Sequence, residues 1–130
     1  MADTVSAITA YSSNKGEYVR RLTNRSDGTG ESAVAKIDVS AFTNSSGATG
    51  TKVSIDRIEY SVNGFNYVHA YWDHSSDITA AVLAGSGVND YSYFGGFHDP
   101  GSGGTGDVTF TTDGGSDGAS YDITIYFTVS

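Results

Sequence analysis

The chain contains no cysteine. No disulfide can close a loop, no thiolate can hold zinc, and no cysteine nucleophile is available. Stability has to come from packing and from partners. Proline occurs once, at Pro100, so the 17 glycines among 130 residues form neither a collagen-like repeat nor a Pro/Gly low-complexity tract. No apolar run approaches the ~20 residues that a membrane helix needs. The start, Met1-Ala2-Asp3-Thr4, has neither a basic stretch nor an apolar core, so it does not read as a secretory signal. A chain made and used in a soluble compartment is expected. Positive charge is missing from more than half of the sequence. Lys15, Arg20, Arg21, Arg25, Lys36, Lys52 and Arg57 all lie before residue 58. Up to that point seven basic residues meet six acidic ones, and beyond it nine acidic residues meet none, which gives the net charge of −8. An anionic surface repels nucleic acid and anionic lipid, so neither is expected as a partner. The near-neutral part can approach another surface without that repulsion.

What is present is alternation. Nine tyrosines and six phenylalanines are too many for a disordered chain, and the length suits one domain spanning residues 1–130. Tyr121, Ile123, Ile125, Phe127 and Val129 share one phase of a strand, with Asp122, Thr124, Tyr126 and Thr128 on the other. Val108 and Phe110 alternate in the same way, and the turn-rich Asp113–Gly118 suggests a hairpin between the two runs. Ala33, Ala35, Ile37 and Val39 are expected to share a face. Val53 and Ile55 lie on one phase, while Ile58, Tyr60 and Val62 lie on the other. That flip calls for a bulge or break at Asp56-Arg57. Weaker strands cover about Val5–Tyr11 and Glu17–Asn24. Tyr67–Trp72 carries bulky groups on both phases. Asp77–Ala84 reads as a short strand, with a two-turn helix as the alternative. The fold class expected is all-β, with about eight short strands and little or no helix, in an antiparallel, jelly-roll-like β-sandwich or a small barrel.

Chemistry-bearing patterns are weak. Gly101-Ser-Gly103-Gly-Thr-Gly106 matches G-x-G-x-x-G, but it opens onto Asp107-Val-Thr-Phe, a strand with an acidic first residue. A dinucleotide loop opens a helix instead. His69, His74 and His98 have Asp73, Asp77 and Asp99 nearby in sequence. Asp73-His74-Ser-Ser-Asp77 reads as a turn, with a structural cation as the alternative. Paired carboxylates could hydrolyse glycosides, but Glu17, Glu31 and Glu59 sit beside strand residues. Serine is plentiful, but no G-x-S-x-G elbow is read among these residues. No catalytic, cofactor or metal residue is assigned, and an enzyme is not expected. The aromatic cluster Tyr60, Phe65, Tyr67, Tyr71, Trp72, Tyr91, Tyr93, Phe94 and Phe97 carries more weight. Alternation sends part of it outward, where rings meet another protein or stack on sugars. The protein interface is the preferred reading.

An ordered series of segments resembles a known group. It runs from Trp72-Asp73 through Asp77–Gly87, Tyr91–Pro100 and Gly104–Thr112 to Gly118–Ile125. Its most distinctive parts are Trp72-Asp73, the Gly95–Pro100 turn and Thr105-Gly-Asp-Val-Thr-Phe-Thr-Thr112. The series is similar to short, all-β virion proteins of tailed marine bacteriophages, including those that infect cyanobacteria. The likeness covers about residues 71–127. It implies a virion structural protein, made in the host cytoplasm and placed on the capsid surface as a decoration or cement protein. The partners implied are the major capsid protein and further copies of the chain, expected as a homotrimer. The interface expected comprises Arg20, Arg21, Arg25, Tyr67, His69, Tyr71, Trp72, Tyr91, Tyr93 and Phe94, with the arginines reaching the shell and Asp-rich turns facing water. The alternative is a receptor- or host-glycan-binding module of a head fibre or tail.

Overall fold

The computed structural model describes residues 3–130, with the side chain of Phe94 outside that description. It contains ten strands: β1 (Thr4–Ser12), β2 (Glu17–Asp27), β3 (Val34–Ile37), β4 (Val53–Asn63), β5 (Tyr67–Trp72), β6 (Ile78–Leu83), β7 (Ser86–Asp90), β8 (Phe97–His98), β9 (Val108–Asp113) and β10 (Asp117–Val129). The only helical pieces among the described residues are two single 3-10 turns, at Val39–Ala41 and Ser92–Phe94. Within Asp77–Ala84, Ile78–Leu83 is therefore strand, as its length favoured. A large sheet has the order β1-β2-β10-β4-β7, with β8 also pairing β4, and a small sheet has the order β3-β9-β5-β6. Every pairing is antiparallel.

The pairings are nested. β5 pairs with β6, β4 with β7, β3 with β9 and β2 with β10. Both sheets turn one face to a shared core. Leu22, Ile58, Ile123, Ile125 and Phe127 from the large sheet and Val68, Trp72, Leu83, Val108 and Phe110 from the small sheet are almost fully buried. β10 alone turns Ala119, Tyr121, Ile123, Ile125, Phe127 and Val129 inward. Burial of its five large side chains contributes on the order of 10 kcal/mol. The phase flip in β4 is a bulge. Tyr126 lies opposite Arg57 and Phe127 opposite Ile55, so Asp56 is the extra residue.

Two expectations fail. β9 and β10 do not form a hairpin, because they belong to different sheets. β10 already has β2 on one side and β4 on the other, so β9 finds no free edge there and turns the corner through Gly114 and Gly115 at φ 68° and 95°. Such angles suit glycine, which has no Cβ. The proposed common face of Ala33, Ala35, Ile37 and Val39 is also broken. Ala33 and Ala35 are exposed while Lys36 is buried, and the β3 register shifts between Ala35 and Ile37. The cause is a buried carboxylate. Glu31 pairs with Lys36, and the two side chains are 4% and 5% exposed. Glu31 also accepts hydrogen bonds from the Asn24 amide (2.7 Å) and the Tyr121 hydroxyl (2.5 Å). Burial, with the Glu31 carboxylate next, pushes the Tyr121 phenol far up, so it stays a neutral donor.

Removing one partner of this pair strands the other charge inside the protein. Lys36→Met is expected to cost about 3–5 kcal/mol. Urea unfolding of Lys36→Met beside Glu31→Gln/Lys36→Met checks this. The double variant should recover most of the loss, and equal stability of the two would refute the assignment.

Candidate functional site

The large sheet presents its outer face to water in transverse rows. Tyr11, Val19, Tyr126, Arg57 and Asp90 are direct neighbours across β1, β2, β10, β4 and β7. Ile8, Arg21, Thr124, Glu59 and Val88 form the next row. Glu59 ties the two rows together. It accepts from the Tyr126 hydroxyl at 2.8 Å and from Arg57 Nη2 at 3.0 Å. The Arg57 guanidinium carbon lies 5.9 Å from the Tyr126 ring. Hydrogen bonding to the Glu59 carboxylate raises the Tyr126 phenol above its ordinary value. Around the first row lies a depression of about 330 Å³ that also touches Glu17, Asp56 and Ser92.

The structure divides the expected arginine group. Arg21 and Arg25 are exposed on this outer face. Arg21 forms a two-pronged pair with Asp122, at 3.1 and 2.7 Å, which lowers the Asp122 carboxyl. Arg20 lies on the opposite phase of β2. Its Nε donates to the Lys36 carbonyl (3.1 Å) and its Nη1 to Thr9 Oγ1 (2.8 Å), and the guanidinium covers Phe42. Alternation separates Arg20 from Arg21, so the three cannot make one patch. Instead Arg57 joins Arg21 and Arg25. Sequence reasoning missed Ile8, Tyr11, Arg57, Val88 and Tyr126 as surface groups. The signal for Tyr126 was its outward phase, and for Arg57 the bulge that turns it.

The aromatic residues fall into three environments. Tyr67, His69 and Tyr71 line the outer face of the small sheet, half-buried. His69 stacks on Tyr71 at 4.0 Å and 9°, Tyr67 meets His69 edge-on at 6.1 Å, and His69 Nε2 contacts Thr79 Oγ1 at 2.8 Å. Trp72 is only 1% exposed, packed edge-to-face against Phe97. It belongs to the core and offers no ring face to a partner. Tyr91 is half-buried against Phe97 at 5.2 Å, and burial raises its phenol. Tyr93 is 91% exposed. The Phe94 side chain, also expected at the interface, lies outside the described residues.

The distinctive segments Trp72-Asp73, Gly95–Pro100 and Thr105–Thr112 meet at one end of the sandwich. The Asp73 N–H donates to the Asp107 carbonyl (3.1 Å), the Thr105 N–H to the Asp73 carbonyl (3.0 Å), and Thr105 Oγ1 to the Asp73 carboxylate (2.9 Å). His74 Nε2 lies 2.5 Å from Asp99 Oδ2 under the glycine loop. These motifs hold the end of the fold together. A cleft of about 890 Å³ opens beside them, lined by Ser54, Trp72, His98, Asp99 and the glycine loop. The indole N–H of Trp72 and the Ser54 hydroxyl are buried without a protein partner.

No three His, Asp or Glu side chains come together to hold a metal ion among the described residues. Asp77 accepts from the His74 N–H (3.0 Å), as a turn residue does. The glycine run Gly101–Gly106 leads into β9 with no helix after it. The letters G-x-S-x-G at Gly114–Gly118 lie where the chain enters β10, so Ser116 is on no elbow. No family model, no curated protein and no solved structure matches the chain.

Desolvation raises the Asp56 carboxyl above its ordinary value, against the lowering hydrogen bond from Thr128 Oγ1 at 2.9 Å. A raised carboxyl means that folding disfavours the ionised form, so its charge costs stability at neutral pH. That cost disappears as pH falls below the ordinary carboxylate range. Asp56→Asn, which keeps the acceptor, is expected to stabilise the fold at pH 7, by less than about 1 kcal/mol because water screens the partly exposed carboxyl. Urea midpoints should show the gain at neutral pH and none in acid. A loss at pH 7 would count against it.

Proposed function

We propose that this chain is a structural protein of a phage virion, a decoration protein that adheres to the outer surface of the major capsid protein shell and stabilises it. The observation that carries this reading is the outer face of the large sheet. It combines Tyr11, Tyr126, Ile8 and Val88 with Arg21, Arg25 and Arg57 across five strands. Tyrosine and arginine are the residue types enriched where proteins meet, and here they share one surface. Two of the arginines are already matched with carboxylates, so the face has mixed charge and suits another protein of mixed charge. Turn carboxylates serve their own backbone instead. Asp38, Asp90 and Asp99 each accept from an N–H two residues on.

The fold on this reading is a jelly roll. Its support is the nesting: an eight-strand hairpin, β2–β7 with β9 and β10, wraps so that its four pairs alternate between two sheets. Jelly rolls occur in viral capsid and lectin domains. The resemblance to phage virion proteins points the same way. It rests on segments that interlock at one end, so it speaks for shared architecture more than for a shared contact.

A second reading, a host-glycan-binding module, is favoured by the two unpartnered donors at the cleft, Trp72 Nε1 and Ser54 Oγ. The row Tyr67–His69–Tyr71 lends it little, because His69 and Tyr71 already stack one face of each ring on the other.

The test of the first reading uses expanded heads that lack the protein. Cosedimentation should saturate at many copies per particle. Arg57→Ala with Tyr126→Ala should weaken binding by about 2 kcal/mol, roughly thirtyfold. A handful of copies per particle, or unchanged binding by the variant, would reject it. The second reading predicts binding on a glycan array that is reduced about tenfold in Trp72→Phe, which keeps a ring but removes the N–H. No binding by the unmodified chain, or equal binding by Trp72→Phe, removes that reading.

A further inference from the structure

β1 is the outermost strand of the large sheet. It pairs with β2 on one side, and among the described residues nothing pairs with its other edge. All nine of its residues are exposed. Val5, Ile8 and Tyr11 are 49%, 58% and 55% exposed. The segment Thr4–Ser12 has no charged residue and no proline. Soluble proteins protect an edge strand with charge, proline, shortness or a cover, because its unpaired N–H and C=O groups are a template for another strand. Only one protective device is present, the bulge between Thr9 and Tyr11 near the far end.

We propose that the free edge of β1 pairs antiparallel with β1 of a second copy, about a two-fold axis through Ile8. Ile8 is the centre of Thr4–Ser12, so this register sets Ala7 opposite Thr9 of the partner subunit and, past the bulge, Ser6 opposite Tyr11 of the partner subunit, with both side chains of each pair on one face. Roughly eight backbone hydrogen bonds form. Ile8 lies on the same outer face as Arg21, so the two Ile8 side chains meet there, with Tyr11 beside Val19 on that face as well. Charge selects a second copy as the occupant. A chain of net charge −8 repels itself, but this strand brings no charge to the contact. Its ends are complementary: Asp3 precedes it and Lys15 follows it, and antiparallel pairing puts each near the other's counterpart. Asp3 is held in place by Asn24, Ser26 and the Gly30 N–H. A three-fold assembly cannot pair a strand with its own copy. It would need β1 to meet a different edge, and β3, β6 and β7 have only four, six and five residues. The inference is therefore a two-fold pair in place of the expected homotrimer. It joins two large sheets into one continuous surface.

Size exclusion with light scattering on the full chain tests this. The unmodified protein should run as a dimer. Ile8→Lys and Ile8→Asp should each run as folded monomers, with association weakened roughly a hundredfold by like charges meeting across the axis. Mixing the two variants should restore a dimer. Hydrogen exchange on the unmodified chain answers without a variant: protection of amides in Thr4–Ser12 should rise with concentration. A monomer or trimer at every concentration, a dimer indifferent to Ile8→Lys, or protection independent of concentration would overturn the proposal. The assay contains no phage head, so the particle-binding reading stands or falls separately.

Discussion

The register of β10 is the constraint on which the rest of the molecule depends. Ten of its residues are matched to β2 and ten to β4, and its inward phase supplies the middle of the core. A slip by one residue on either side would turn every buried side chain of a neighbouring strand outward. Mismatches are therefore absorbed elsewhere. Asp56 bulges out of β4, Lys36 interrupts β3, and the start of β10 shifts between Asp117 and Ser120. Because β10 is saturated on both edges, β9 has to cross to the small sheet. The nested order of the whole chain follows from that exclusion.

The second determinant is electrostatic and internal. Glu31 and Lys36 give up hydration that costs several kcal/mol per ion. Mutual pairing, Asn24, and a Tyr121 hydroxyl kept neutral by burial offset that cost. The geometry of the pair selects which residues of β3 face inward, overriding apolar alternation. It also seats β3 over β2, where Arg20 reaches the Lys36 carbonyl and covers the Phe42 ring. An arginine that looked like a surface contact thereby becomes part of the seam between the sheets.

The outer surfaces divide by chemistry. At turns, Asp38, Asp90 and Asp99 accept from N–H groups two residues on and so brace their own loops. The large sheet offers an outer face in which tyrosines, aliphatic side chains and matched ion pairs lie side by side, bordered by the uncharged strand β1. The small sheet offers a half-buried row of rings in which His69 stacks on Tyr71 and Tyr67 meets His69 edge-on. On the proposed reading, the first of these meets a larger particle and another copy of the chain. The end loops, tied by Asp73, Thr105 and Asp107, keep the sandwich from opening there.

Alternation along β10 and the flip at Asp56 were legible from residue order alone, because a strand's side chains point alternately to its two sides and a single inserted residue reverses them. So were the all-β class, the strand within Asp77–Ala84 and the turn role of Asp77, since each rests on neighbours in sequence. Partnership between distant segments was not. Whether β9 joins β10, whether Ala35 or Lys36 turns inward, and whether Arg20 shares a face with Arg57 depend on edges already occupied and on charges brought together from far along the chain. Tyr11, Arg57 and Tyr126 become one row only when four strands, β1, β2, β10 and β4, lie side by side. Residue order determined which face each side chain takes within its own strand; only the tertiary structure decided which strands, and hence which side chains, stand next to each other.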